Sequence, residues 1–165
     1  MIEGKVVLVA DDDNALLEMY SERVLAEGAI AIQARDGEET LKKIEEFHPS
    51  FIILDVMMPK YNGFEVLEKI KSNPVKKDIP VLILSALTDL EKKREGIRLG
   101  AIDFLVKSEV LPLQVMSIIK KEIFDEFIRG KYYVEAVIDD RPKVCDAWRE
   151  MGLKVLQVGD PNIEF

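Results

Sequence analysis

Residues 7–16 read VLVADDDNAL, so an apolar run passes directly into three adjacent carboxylates, Asp11, Asp12 and Asp13. A short apolar run of this kind is typical of a buried strand. Two like charges about 4 Å apart repel by roughly 1 kcal/mol in water and by several times more near a protein interior. The stretch therefore predicts a buried strand with a cation at its carboxyl end.

Similar apolar runs recur along the chain. Together with the first they give five predicted strands, at residues 5–10, 29–34, 51–55, 81–85 and 102–106. The segments between them carry apolar residues at steps of three and four, the spacing of one helix face. These residues are Leu16, Leu17, Tyr20, Val24 and Leu25, then Leu41, Ile44 and Phe47, then Phe64, Leu67 and Ile70. The alternation predicts an α/β fold, a doubly wound parallel sheet with helices on both faces.

Composition narrows the class of protein. The chain has 165 residues, of which 48% are hydrophobic, enough for one good core and a small appendage. A net charge of -8 opposes contact with nucleic acid phosphates, so we expect no direct nucleic acid binding. The single cysteine, Cys145, fits a reducing compartment. Because the apolar runs are too short to span a membrane and residues 1–5 lack a signal-peptide core, we expect a cytoplasmic protein without a membrane contact.

The predicted strands end in residues that carry chemistry. Asp11 and Asp12 end the first strand, Asp55 the third and Ser85 the fourth, and Lys107 follows the fifth. In a doubly wound parallel sheet, ligands bind at the carboxyl ends of the strands. We therefore expect three carboxylates, a hydroxyl and an ammonium group to meet in one crevice.

These side chains suit metal-assisted phosphoryl transfer. A hard cation such as Mg²⁺ takes oxygen ligands, and Asp11, Asp12 and Asp55 supply them. A carboxylate such as that of Asp55 can act as a nucleophile and form an acyl phosphate. Lys107 and the Ser85 hydroxyl can contact phosphate oxygens.

Four stretches carry a resemblance to a known family: VLVADDDNAL at 7–16, FIILDVMMPKYNGFEVL at 51–67, PVLILSAL at 80–87 and GAIDFLVKS at 100–108. Residues 1–123 resemble the receiver domains of response regulators. The resemblance implies a flavodoxin-like sheet with strand order 2-1-3-4-5. It also implies a phosphoacceptor in a two-component phosphorelay, phosphorylated by a sensor histidine kinase or phosphotransfer protein and read by a downstream protein target, rather than a turnover enzyme.

The same resemblance implies a role for each residue of the site. Asp55 is the phosphoacceptor, and Asp11 and Asp12 form the acidic pair that binds Mg²⁺ with Asp55 and the Met57 backbone carbonyl. Ser85 and Lys107 assist the transfer. Ser85 and Phe104 form the switch, in which phosphorylation draws Ser85 inward and Phe104 follows.

Two departures from the receiver pattern have consequences. Ser108 follows Lys107 where receivers usually have a proline in a cis peptide, and a cis bond without proline would cost about 2.5 to 4 kcal/mol. The sequence leaves open whether the Lys107–Ser108 bond is cis or trans. Met57 and Leu87 lie two positions after Asp55 and Ser85, and both are apolar. Because apolar side chains orient water poorly, we expect a long-lived phosphoryl group.

The chain continues beyond the usual end of a receiver. A helix from near Leu111 is predicted to run on, followed by a strand at 134–139, a helix at 142–151 and a strand at 154–158. IDDRPKV at 138–144 and WREMGLKVLQV at 148–158 resemble the C-terminal part of haloacid dehalogenase-like phosphatases, especially polynucleotide 3'-phosphatases. That resemblance implies Mg²⁺ binding by Asp139 and Asp140 and a phosphoryl contact by Lys120 or Lys121.

The triplet at the first strand thus has an alternative interpretation. In a Mg²⁺-dependent phosphatase of the haloacid dehalogenase class, Asp11 would be the nucleophile and Asp13 the acid and base. Asn14 and Ala15 then stand where that family has Gly-Thr. Asp13 also suits the cap of a helix. We favour a receiver at residues 1–123 with a phosphatase-like extension at 124–165 that lacks its own nucleophile and docks on the receiver or on a second copy, giving a homodimer.

Overall fold

The computed structural model describes residues 2–127, 137–139, 142–150 and 154–157. Strands and helices alternate, in the order β1 (Val6–Ala10), α1 (Asn14–Ala26), β2 (Ile30–Ala34), α2 (Gly37–Phe47), β3 (Phe51–Leu54), α3 (Gly63–Ser72), β4 (Val81–Ser85), α4 (Leu90–Arg98), β5 (Asp103–Val106) and α5 (Pro112–Phe127). Then come β6 (Val137–Asp139), α6 (Pro142–Glu150) and β7 (Val155–Gln157). The predicted strands therefore recur, with ends that shift by one residue in several cases.

Five strands form one parallel sheet in the order β2-β1-β3-β4-β5. This order confirms the predicted flavodoxin-like, doubly wound fold. Ala10 at the end of β1 pairs with Leu54 at the end of β3, and the Asp55 amide donates to the Ala10 carbonyl oxygen at 2.9 Å. Because β1 and β3 end side by side, the residues that follow them, Asp11 and Asp55, are brought together.

The central strands β3 and β4 are buried along their whole length. A strand covered on both faces has no polar side, which explains the continuous apolar runs FIIL and VLIL in the sequence. The main cluster of buried apolar side chains includes Ile52, Leu54, Leu67, Ile83 and Phe104. The strands that lead to the site are thus part of the main apolar core.

Two of the apolar residues predicted to lie on the buried faces of the helices are exposed instead. In α1 the buried residues are Leu17, Tyr20, Ser21 and Val24, whereas Leu25 is 56% exposed. Leu25 lies about 100° around the helix from Val24 and so leaves the buried face. Phe47, at the last position of α2, is 39% exposed. Ser21 stays buried because its Oγ accepts a hydrogen bond of 3.0 Å from Gln33.

Contacts divide the chain into two compact units, Met1–Pro112 and Leu113–Phe165. The first holds the five-stranded sheet, and α5 falls in the second. In the second unit, β6 and β7 are parallel, with Val137 opposite Val155, and the rings of Phe124 and Trp148 make an edge contact at 5.4 Å. Among the described residues, no helix has the length and apolarity needed to cross a membrane.

Candidate functional site

Three carboxylates meet at the carboxyl edge of the sheet. Asp11 and Asp55 are each 3% exposed, and Asp12 is exposed beside them. One oxygen from each of the three lies within 4.8 Å of the others. Oxygen donors at this spacing are the ligand set that a hard divalent cation prefers. The cluster predicted from the strand ends is therefore present in the fold.

Lys107 joins this cluster from the end of β5. Its amide donates to the Ser85 carbonyl oxygen at 2.8 Å, which extends the β4–β5 pairing up to the site. Its Nζ lies 2.7 Å from Asp11 Oδ2 and 3.0 Å from Asp55 Oδ2. One ammonium group thus bridges two buried carboxylates that would otherwise repel each other.

Burial and pairing act in opposite directions on these charges. Burial raises the pKa of Asp11 and outweighs its hydrogen bonds from Lys107 and from the Asp13 amide. For Lys107, burial lowers the pKa, but the hydrogen bonds and charges of Asp11 and Asp55 together raise it above the ordinary value of 10.5. Lys107 therefore keeps its positive charge at neutral pH while it is paired with both carboxylates.

The loop after β3 places Asp55. Its Oδ1 accepts a hydrogen bond of 2.7 Å from the Val56 amide. A β-carbon at Gly63 would lie 2.1 Å from the Asp55 carbonyl oxygen, so the start of α3 packs backbone against backbone on the Asp55 residue. Asn62 caps α3 in a reciprocal capping box with Glu65, which fixes where the helix begins. Met57 lies in this loop with its side chain 58% exposed.

The predicted switch residues lie in the interior. Ser85 is fully buried, and its Oγ accepts a long hydrogen bond of 3.4 Å from the Leu87 amide. Phe104 is 1% exposed. A β-carbon at Gly96 of α4 would lie 3.1 Å from its ring, so the small residue lets α4 approach Phe104 closely. The inward position of Phe104 is thus packed against α4.

Other predicted residues lie elsewhere. Asp13 caps α1, its Oδ1 accepting from the amides of Ala15 at 2.9 Å and Leu16 at 3.4 Å. The Lys107–Ser108 bond is trans. Lys120 is buried and Lys121 is exposed, both in α5. Asp139 ends β6 with only its backbone described, and Asp140 lies outside the described residues.

Sequence reasoning missed the contacts of one residue in the loop that follows Asp55. Lys60, in the loop after β3, has a left-handed backbone with φ of 67°. Its Nζ lies 2.9 Å from Asp36 and 2.8 Å from Glu38, at the start of α2. The sequence around Lys60 does not predict these ion pairs, because its partners come close only in the tertiary fold.

Comparison with known proteins agrees with this geometry. Residues 7–120 match the family described as the response regulator receiver domain. The chain belongs to this receiver family. The match confirms the predicted receiver domain and its two-component phosphoacceptor function. A second, shorter match, to the polynucleotide kinase PNKP phosphatase domain, covers residues 101–163 and does not alter the receiver assignment.

Individual receivers show the same likeness. Response regulator RR06 of Streptococcus pneumoniae serotype 2 is 35% identical over 131 residues, 79% of this chain and 56% of that protein. The receiver domain of Francisella response regulator 1452 is 29% identical with a TM-score of 0.69, covering 74% of this chain and 99% of that one. A chain of the CheX–CheY–BeF3–Mg²⁺ complex from Borrelia burgdorferi is 25% identical with a TM-score of 0.65, covering 77% of this chain and 92% of that one. The chain spans about half the length of the curated relatives it matches.

Proposed function

We propose that the carboxylate of Asp55 is the phosphoacceptor of this receiver. The observation that carries the proposal is the bridge from Lys107 to both Asp11 and Asp55 at the carboxyl edge of the sheet. It joins a buried nucleophile, an acidic neighbour and a cation for phosphate oxygens in one crevice. Phosphoryl transfer needs little beyond such positioning and charge neutralisation.

The step itself is a substitution at phosphorus. The bond from phosphorus to the donor breaks, the leaving group departs with the electron pair, and a bond forms to a carboxylate oxygen of Asp55. The donor is the phosphohistidine of a sensor kinase or phosphotransfer protein, or a small acyl phosphate. Lys107 then exchanges a carboxylate partner for a phosphoryl oxygen, and the Ser85 hydroxyl, buried at the end of β4, donates to another.

The donor set of the site fits Mg²⁺. Asp11, Asp12 and Asp55 offer oxygens within 4.8 Å of one another, and the Met57 carbonyl is the fourth protein ligand that we propose. The ion supplies charge neutralisation for the phosphoryl oxygens. Lys107 already holds Oδ2 of both Asp11 and Asp55, so metal binding has to compete with, or rearrange, this ion pair.

The output is a change in a protein-binding surface. When Ser85 moves toward the phosphoryl group, it vacates space at the end of β4, and Phe104 and α4 repack in response. A downstream protein recognises the changed surface. The net charge of -8 supports a protein target over direct contact with nucleic acid.

We propose that residues 1–123 function as the receiver. Residues 124–165 are then a phosphatase-like extension without a nucleophile of its own. A strand-helix-strand piece of this size has too little core to be stable alone. The extension therefore docks on the receiver or on a second copy of the chain, which would give a homodimer. Deleting residues 130–165 is expected to leave phosphorylation intact and to change solubility or oligomeric state.

The test uses the full chain with acetyl phosphate and Mg²⁺, followed by intact mass. The parent is expected to gain one phosphate-sized adduct, and Asp55→Asn none. Asp89→Asn is the matched control, because an asparagine still caps α4 at that position. Turnover of a phosphomonoester that survives Asp55→Asn and is lost in Asp11→Asn would instead establish the alternative, a phosphatase with Asp11 as nucleophile.

A further inference from the structure

The loop that carries Met57 is fastened to the start of α2 at several points. The Gly37 amide donates to the Pro59 carbonyl oxygen at 3.2 Å. A β-carbon at Gly37 would lie 2.1 Å from the Tyr61 carbonyl oxygen, so the two backbones are in direct contact. Any movement of the loop therefore has to move α2 or break these contacts.

Lys60 adds two ion pairs to this contact. Its ammonium group reaches back to Asp36 at 2.9 Å and Glu38 at 2.8 Å, and we name these three residues the Lys60 clamp. Asp36 also caps α2 by accepting from the Glu39 amide at 2.8 Å, so its carboxylate is already held in place. Through Asp36, the clamp thus ties the loop to a carboxylate that the cap of α2 already holds in place.

The backbone of Lys60 is strained. Its φ of 67° lies in the left-handed region, which a residue with a side chain adopts at a cost. A residue persists in such a conformation only when its surroundings over-determine it. Here the surroundings are the Gly37 contact and the two ion pairs. On the other side of the loop, the Gly63 amide donates to the Val56 carbonyl oxygen at 2.9 Å, so the backbone of residues 57–59 is held at both ends.

We propose that Lys60 is a positioning residue for cation binding at the Asp11, Asp12 and Asp55 cluster, acting through the backbone of residues 57–59. The proposal rests on the proposed function, which assigns the Met57 carbonyl to the metal. A loop already held in its binding geometry loses less conformational freedom when the cation binds. Release of the clamp leaves all carboxylates in place and makes the loop itself more mobile.

The first readout is Mg²⁺ affinity by titration calorimetry on the unphosphorylated full chain. In Lys60→Met, which removes both ion pairs, the Kd for Mg²⁺ is expected to rise about two- to fivefold, the range of exposed ion pairs. Lys60→Arg, which can still pair with both carboxylates, restores the parent value. Lys60→Gly removes both ion pairs and also the backbone strain. Its Kd for Mg²⁺ is therefore expected to be raised as in Lys60→Met.

The second readout needs no metal. Amide hydrogen exchange at Gly37, the donor to Pro59, is expected to accelerate in Lys60→Met and to return to the parent rate in Lys60→Arg. Lys92→Met is the matched control, because it removes an exposed ion pair to Glu95 on α4. It should change neither the Kd for Mg²⁺ nor Gly37 exchange.

Different results would overturn the role of Lys60 and the phosphoacceptor function of Asp55. An unchanged Kd for Mg²⁺ in Lys60→Met, or the same rise in Lys92→Met, overturns the positioning role while Asp55 phosphorylation stands. A parent chain that gains no adduct at Asp55 overturns the proposed function, whatever the clamp variants do to Mg²⁺ binding.

Discussion

Lys107 Nζ lies 2.7 Å from Asp11 Oδ2 and 3.0 Å from Asp55 Oδ2, so a single ammonium group from the end of β5 neutralises carboxylates from β1 and β3. All three side chains are largely buried. We expect removal of either side of the bridge to destabilise the fold, and the bridge lies where the proposed function places a phosphoryl group. Stability and function are therefore linked at this one contact.

Lys107→Met is expected to lower the free energy of unfolding in the absence of divalent cations. It leaves two buried carboxylates without a counter charge, and breaking a buried pair in this way costs about 3 kcal/mol. Urea unfolding in the presence of a chelator measures the effect, with Lys92→Met as the exposed control. Added Mg²⁺ should recover part of the loss in Lys107→Met. Equal stability of Lys107→Met and parent would contradict the account.

The contribution of Lys107 to stability is expected to depend on pH. Its pKa is raised above 10.5 in the folded protein, because the partners Asp11 and Asp55 outweigh burial. Above pH 10.5 the folded state holds a proton that the unfolded state has lost, so the stabilisation is complete below 10.5 and disappears as the pH rises through the folded pKa. The difference in unfolding free energy between the parent and Lys107→Met can be measured in urea from about pH 8 upward. This difference should shrink only above the ordinary lysine pKa of 10.5. A difference that is constant throughout would count against it.

The sequence predicted most of the fold because its main signals are local. Runs such as FIIL and VLIL predict the strands. In a parallel sheet, the residues that follow these runs lie together at the edge where ligands bind. Asp11, Asp55 and Lys107 were therefore expected together, and the structure brings them together. The Lys60 clamp was not predicted, because Lys60 and Glu38 lie 22 positions apart and meet only after α2 and the loop have packed. The exposed positions Leu25 and Phe47 were misjudged because apolarity alone does not fix which helix face is buried.

Asp13→Ala is expected to lower stability without affecting phosphorylation. The change removes the cap of α1, in which Asp13 accepts from the Ala15 and Leu16 amides, at a typical cost of about 1 kcal/mol. Thermal unfolding and the adduct in intact mass measure the two effects. Asp13→Asn, which retains a capping oxygen, should behave as the parent. Loss of phosphoryl chemistry in Asp13→Asn would favour the phosphatase interpretation, in which Asp13 is the acid and base.

Gly63→Ala is expected to damage both the fold and the site. The new β-carbon would meet the Asp55 carbonyl oxygen at 2.1 Å and the Val56 Cα at 2.8 Å, and backbone atoms cannot move aside cheaply. Overpacking of this kind costs roughly 1 to 3 kcal/mol or more. Gly96→Ala is the comparison, because the nearest atoms to its β-carbon belong to the side chains of Ile83, Phe104 and Phe64 rather than to the backbone, and alanine favours the helix. Urea unfolding should rank Gly63→Ala well below Gly96→Ala. The reverse ranking would refute the close approach at Asp55.

The phosphoryl group on Asp55 is expected to be long-lived. Met57 and Leu87, the residues two positions after Asp55 and Ser85, are apolar, and Met57 is exposed at the loop. Neither side chain can hydrogen-bond an attacking water, whereas Met57→Gln can, and that variant should lose phosphate faster. Val75→Gln is the control at an exposed apolar position on the loop after α3. Loss of phosphate from the parent within seconds of donor removal would refute this expectation.

The most direct test of the central claim is to locate the acyl phosphate on the chain. The full protein is incubated with acetyl phosphate and Mg²⁺, reduced with borohydride, which converts a phosphorylated aspartate to homoserine, and mapped by peptide mass spectrometry. Homoserine is expected at position 55 and an unmodified aspartate at position 11. Homoserine at position 11, with Asp55 unmodified, would contradict it and make the opening carboxylates of VLVADDDNAL the nucleophile of a phosphatase.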